Sequence, residues 1–331
     1  MTQHVDAGPR PADGLTPAAP GGPLLTVIGE ALIDLVPGPG PGDYHAKPGG
    51  SPFNVAIGLA RLGHRTALMA RLADNAFGRQ LREHAAAEGI DLTGAPHATE
   101  PTTLAVVSLD AQGHAGYDFY LEGTADWQWT ATELARIAPD TAVLHVGSLA
   151  SWTHPGNKHI HAAAARLREQ GRTLISYDPN IRPQLLGSPE RARPRVEGFV
   201  SVAHVVKASR EDVEWLYPEA GIAEVGDRWL NLGAPAVVIT DGPNGAHLLR
   251  AGASPIHLPG RKIRLVDTIG AGDAFTSGLL GGLVRRGLHL PDLPSQCPAE
   301  LLAETVDEAV LISALTCERA GADPPFAAAL T

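Results

Sequence analysis

Cysteine is scarce: Cys297 and Cys317 are the only two in 331 residues. They cannot build a disulfide framework and have no metal-ligand spacing, which suits a reducing, cytoplasmic setting. Basic charge is scarce too. Twenty-six Lys and Arg face 36 Asp and Glu, and the net charge of −10 argues against general nucleic-acid binding, which depends on a positive surface. No apolar run reaches the roughly 18 residues that span a bilayer, so no membrane association is expected. The 14 histidines include no His-x-x-x-His pair, which removes the helical zinc pattern. The first apolar strand leads into Gly29-Glu30-Ala31 and not into Gly-x-Gly-x-x-Gly, which speaks against a dinucleotide-dependent oxidoreductase.

What is present alternates. Residues 1–23 are dominated by Pro, Gly, Ala and polar residues and are expected to form a disordered tail. Leu24–Ile28 then reads as a buried strand, and 31–36 as a second apolar run interrupted by Asp34, a charge that is costly there unless paired or used. A Pro- and Gly-rich loop at 37–50 precedes helix-spaced residues 54–62; 67–72 reads as a strand and 78–88 as a helix. Extended runs 102–109 and 117–121 flank Gly113 and Gly116, the signature of a hairpin, and their small apolar and polar alternation suits a thin lid with one wet face. From 130 onward strands at 142–146, 172–177, 204–207, 236–240 and 263–266 alternate with helices, the last over 299–320. Such alternation predicts a mostly parallel sheet covered by helices on both faces, with ligands beyond the carboxyl ends of the strands.

The segment Asp267-Thr268-Ile269-Gly270-Ala271-Gly272-Asp273 sits between the strand-like 263–266 and the helix-like 274–283. A helix start offers free N–H groups and partial positive charge, and Gly270 and Gly272 have no Cβ to hold an anion away. Asp273 would stand at the mouth of that pocket, where a carboxylate accepts the proton of an attacking alcohol. The same residues also read as tight packing plus a helix cap.

Together with Gly49-Gly50-Ser51-Pro52-Phe53-Asn54-Val55-Ala56 and Ala60-Arg61-Leu62-Gly63, this segment resembles the two signatures of the ribokinase-like, or PfkB, carbohydrate kinases, over residues 24–326. The resemblance implies an α/β three-layer sandwich with a mostly parallel central sheet and a small β-sheet lid, its lid strands drawn from about 37–48 and 100–122. The implied reaction moves the γ-phosphoryl group of ATP to a sugar hydroxyl, with Asp273 as base and the amides of Gly270, Ala271 and Gly272 meeting the developing charge. Asp34, Gly49, Gly50 and Asn54 fall where the family binds sugar. Asp178-Pro179-Asn180-Ile181-Arg182 resembles an Asp-x-Asn-x-Arg segment of fructokinases and 2-keto-3-deoxygluconate kinases, which places Asn180 and Arg182 at the substrate. Lys207 and the loop carrying Thr240, Gly242 and Gly245 fall at the nucleotide. Asp212 stands near the place of an acid that reaches Mg²⁺ through water, and Asp267 where many relatives hold a monovalent cation such as K⁺.

The expectation is therefore an ATP- and Mg²⁺-dependent sugar kinase, of fructokinase type on the aromatic lid stretch Tyr117, Phe119, Tyr120 and on Thr124-Ala125-Asp126. A monomer or a homodimer through the lid is expected. The alternatives within the fold are 2-keto-3-deoxygluconate kinase, ribokinase or a nucleoside kinase. From another class, a sugar-binding regulator without catalysis is opposed by Asp273, since a sensor needs no base beside its anion pocket.

Overall fold

Successive residues of a strand face opposite ways, and the buried strands of this protein feed two separate cores. The computed structural model describes residues 21–40, 42–109, 115–292 and 296–330; most of the expected tail and Gly113 of the expected lid turn lie outside them. The chain begins with β1 (Leu24–Ile28), β2 (Leu32–Pro37), β3 (Tyr44–Gly49), α1 (Ser51–Arg61), β4 (Thr66–Met69), β5 (Leu72–Ala73), α2 (Ala76–Ala87), β6 (His97–Ala98), β7 (Leu104–Leu109) and β8 (Ala115–Tyr120). It continues through α3 (Ala131–Leu134), β9 (Thr141–Gly147), α4 (Ser148–Trp152), α5 (Asn157–Glu169), β10 (Leu174–Asp178), α6 (Pro183–Leu186), α7 (Pro189–Val202), β11 (Val205–Ser209) and α8 (Arg210–Leu216). Last come α9 (Ile222–Asn231), β12 (Ala236–Thr240), β13 (Gly245–Arg250), β14 (Ile256–Pro259), α10 (Ala271–Arg285) and α11 (Ala299–Cys317).

Eight strands form one sheet in the order β14-β13-β12-β11-β10-β9-β1-β4. On one face Leu25, Val27, Leu174 and Val205 pack with Phe53, Phe275, Leu279 and Val306 from α1, α10 and α11. On the other, Ile28, Leu144, Ile175 and Val206 pack with Ile160, Phe199 and Trp229 from α5, α7 and α9. Three layers result, as the alternation requires. β1 lies between β4 and β9, parallel to both, so the strand order reverses there, and the crevice at the carboxyl ends of β1, β9 and β10 is where an open sheet of this kind binds ligands. A second sheet, β3-β2-β7-β8, stands apart from the first. It includes β2, so Asp34 rides on this smaller sheet.

One expected strand is absent. Residues 263–266 form no strand; Leu265 and Val266 are exposed, and the amides of Val266 and Asp267 donate to the carbonyl of Cys317 at 2.9 and 3.2 Å. A four-residue run with only Ile263 and Val266 β-branched carries little pairing information, and the sheet already ends at β14, so tertiary context overrides propensity. The strand expected at 236–240 is present as β12, and two strands that were not expected, β13 and β14, follow it as antiparallel neighbours at the sheet edge. Thr240, Gly242 and Gly245 therefore belong to a hairpin connection.

Candidate active site

Two helices meet end to end at Asp273. Gly270 adopts the left-handed conformation at φ 76°, which a residue with a side chain rarely accepts, and this turns the loop into the first turn of α10. Close crossing of α1 and α10 is possible because Gly58 faces Ser277, where an added Cβ would lie 2.4 Å from the hydroxyl. Their N-terminal ends then converge. Ser51 donates its hydroxyl to Oδ1 of Asp273 at 2.6 Å, and Asn54 donates its amide to Oδ2 at 2.8 Å. Burial raises the Asp273 pKa, against the hydrogen bonds from Ser51 and Asn54 and the charge of Lys207, with Asp178 adding to the rise. A carboxylate poised upward in this way is a better base than an exposed one.

The first turn of α10 also offers donors. The amide of Ala271 donates to the Thr268 carbonyl at 3.2 Å, but among the described residues those of Gly272 and Asp273 meet no acceptor. Beneath them lies a cation: the Lys207 ammonium would be 3.2 Å from a Cβ placed on Gly272. Lys207 ends its reach at Asp178, 2.9 Å away, with both side chains buried. Burial works against its charge, but Asp178, Asp212 and Asp273 outweigh that and raise its pKa, so the ammonium persists. Free amides at a helix start with a buried ammonium below them fit a phosphate.

The lid supplies the opposite wall. Burial and the charge of Asp273 raise the Asp34 pKa to about 6, while Arg182 lowers it, so the three charges interact. A Cβ on Gly49 would stand 2.1 Å from Oδ2 of Asp34, so any side chain there would push the carboxylate aside. Gly50, the N-cap of α1, presses on the carbonyl of Glu30. Asn180 does not point its amide into open space: Nδ2 donates to the Ser148 hydroxyl at 3.1 Å, and Oδ1 accepts from Arg182 at 2.8 Å. Asn54, read from sequence as a sugar contact, is turned toward Asp273.

Other expected residues are occupied elsewhere. Asp212 closes a capping box on α8 and accepts the amides of Ser209 and Ile181 at 2.9 and 2.8 Å. Asp267 accepts the amides of Ile269 and Gly321 at 3.0 and 2.8 Å, tying the loop before α10 to the C-terminal segment. Thr240 ends β12 beside Ser209 with its hydroxyl donating to the Ala208 carbonyl at 3.4 Å, the Arg210 guanidinium grips Asp241 at 2.5 and 2.6 Å, and the Asn244 carbonyl accepts the Gly260 amide at 3.2 Å. Among the described residues no cluster of three His, Cys, Asp or Glu could hold a metal, so a divalent ion here would depend on phosphate oxygens, as Mg²⁺ commonly does. Two participants were missed from sequence. Ser51 could have been found from its i, i+3 spacing to Asn54, which puts both on one helix face; Asp178 pairs with Lys207 only because β10 and β11 are neighbours.

Similarity to known proteins agrees with this geometry. A fructokinase of Klebsiella pneumoniae is 34% identical over 287 residues, covering 85% of this chain and 91% of its own. A fructokinase of Vibrio cholerae O395, solved with fructose, ADP and calcium ion, superposes with a TM-score of 0.78 at 30% identity over 91% of this chain and 94% of its own. An aminoimidazole riboside kinase of Salmonella enterica, complexed with aminoimidazole riboside and an ATP analogue, gives 0.76 at 26% identity over 90% and 95%. Residues 23–328 match the description "pfkB family carbohydrate kinase", and with these relatives the chain belongs to the pfkB family and is a sugar kinase.

Proposed function

We propose that this kinase transfers the γ-phosphoryl group of ATP to a hydroxyl of fructose. The observation that carries the reading is the placing of Asp273 between the donors Ser51 and Asn54 and within the charge field of both Asp34 and Lys207. Asp34 binds sugar hydroxyls, the backbone at Gly49 and Gly50 lets the ring approach, and Arg182 turns its guanidinium to the substrate. Asp273 takes the hydroxyl proton as the oxygen attacks phosphorus. The amides of Gly272 and Asp273, with Lys207, meet the charge on the transferred group, and the Thr240–Gly245 hairpin lies on the nucleotide side.

Mg²⁺ bound to the phosphates would neutralise nucleotide charge, and Asp212, with its oxygens on backbone amides, reaches such an ion only through water. A monovalent cation would sit beside Asp267 and Gly321, where the loop before α10 meets the C-terminal segment; that relatives take such an ion is supported by a double mutant of the Vibrio enzyme, solved with potassium ion as well as fructose and ADP. Consumption of ATP fits a cytoplasmic setting.

The test is ADP release from Mg-ATP with fructose, ribose, 2-keto-3-deoxygluconate, tagatose and adenosine as acceptors. Fructose is expected to give the highest kcat/KM; a higher value for any other acceptor refutes the substrate assignment. Asp34→Ala is expected to raise the fructose KM about 10- to 100-fold, with the ATP KM within about twofold, because a charged hydrogen-bond acceptor is lost from the sugar alone. Equal changes in both constants would remove Asp34 from the sugar. Gly49→Ala is expected to raise the fructose KM about tenfold by pushing the Asp34 carboxylate aside. An unchanged KM in this variant would mean that the carboxylate is not held where the sugar needs it.

A further inference from the structure

We propose that Glu30, at the carboxyl end of β1, is a positioning residue for the sugar pocket: it holds the turn carrying Ser148, and through Ser148 and Asn180 it sets Arg182 beside Asp34. The proposal rests on the assignment of Asp34 and Arg182 to the sugar.

Glu30 is 1% exposed, and a carboxyl so deep is costly unless it is used. Its Oε2 accepts the amide of Ala150 in α4 at 3.2 Å, while Oε1 has no partner among the described residues. Burial raises its pKa to about 7, against the Ser148 hydroxyl and the amides of Glu30 and Ala150, with Asp126 adding to the rise. The turn it grips is unusual. Ser148 has φ 56° and Asn180 φ 40°, left-handed values that side chains other than glycine's adopt only when their surroundings insist. These residues follow the ends of neighbouring parallel strands, where Gly147 of β9 pairs with Asp178 of β10. Asn180 spans the gap by donating to Ser148 at 3.1 Å and accepting from Arg182 at 2.8 Å. Arg182 also donates to the carbonyls of Asn180 and Ile181 at 3.3 and 2.9 Å, which anchor it locally, so loss of the carboxyl at one end shifts the guanidinium at the other without freeing it.

The main chain makes the same connection. The carbonyl of Glu30 lies 2.7 Å from where a Cβ on Gly50 would stand, so one residue abuts the loop that opens α1 and grips the turn after β9. No direct hydrogen bond joins the Glu30 side chain to Asp273 or to the first turn of α10 among the described residues; the Asn180 amide does donate to Asp178, the partner of Lys207, at 3.1 Å, so the expected effect of losing Glu30 is larger on the sugar than on the nucleotide.

The experiment compares Glu30→Ala, Glu30→Gln and Ser148→Ala with the wild type, using whichever acceptor of the panel the wild type phosphorylates with the highest kcat/KM. An acceptor other than fructose overturns the substrate assignment and leaves this test intact. Glu30→Ala is expected to raise the sugar KM about tenfold, with the ATP KM within about twofold. Glu30→Gln keeps an acceptor for the Ala150 amide and is expected to restore the sugar KM to within about twofold of wild type. Ser148→Ala is expected to match Glu30→Ala, and the double variant to be no worse than either single one, because one chain of contacts is cut twice. A sugar KM unchanged in Ser148→Ala, equal rises in both KM values, or additive effects in the double variant overturn the proposal. If Glu30→Ala does not fold, Ser148→Ala and Glu30→Gln decide it alone.

Discussion

Asp273→Asn is expected to lower kcat about 10²- to 10⁴-fold while the KM values for fructose and ATP stay within a few-fold. The substitution is nearly isosteric. Ser51, which donates to Oδ1 in the wild type, can turn its hydroxyl to accept from the new amide group, while Asn54 keeps an oxygen to donate to. The convergence of α1 and α10 therefore survives, and the melting temperature should change little. What is lost is the proposed base, and a positioned base acts chiefly in the transition state. Turnover within about tenfold of wild type would mean that another group removes the proton.

Lys207→Met is expected to damage both catalysis and stability. The ammonium is buried with Asp178 at 2.9 Å, so its removal strands a carboxylate in the interior at a cost of about 3–5 kcal/mol. Its charge also lies under the free amides of the α10 start, and removing one such contribution to a developing anion costs about 10²- to 10³-fold in kcat/KM. The two effects separate in the double variant Lys207→Met/Asp178→Asn. That protein should recover most of the lost melting temperature, since no unpaired charge remains, but not the rate. Recovery of both would show that Lys207 serves only as the partner of Asp178 and makes no contact with the phosphoryl group.

The placing of Asp212 and Asp267 shows how far residue type carries. Both are acids near an expected ion, yet both spend their oxygens on backbone amides. An acid at the third position of a helix and an acid at a metal look alike in sequence; only the positions of the donors tell them apart. The run 263–266 failed for a related reason, since three apolar residues around Arg264 fit a strand or an exposed crossing equally well until their neighbours are known.

Sequence alone determined most of the alternation of strands and helices, the two glycine signatures and the place of Asp273 at a helix start. Those depend on local periodicity, on helix-start chemistry and on residues that sit close together in the chain, all of which a linear pattern preserves. Tertiary structure alone decided that Ser51 and Asn54 hold Asp273, that Lys207 pairs with Asp178, and that Asp34 is carried on the small sheet. These are contacts between segments far apart in the chain, chosen by strand order and helix crossing, and no spacing within a segment records them.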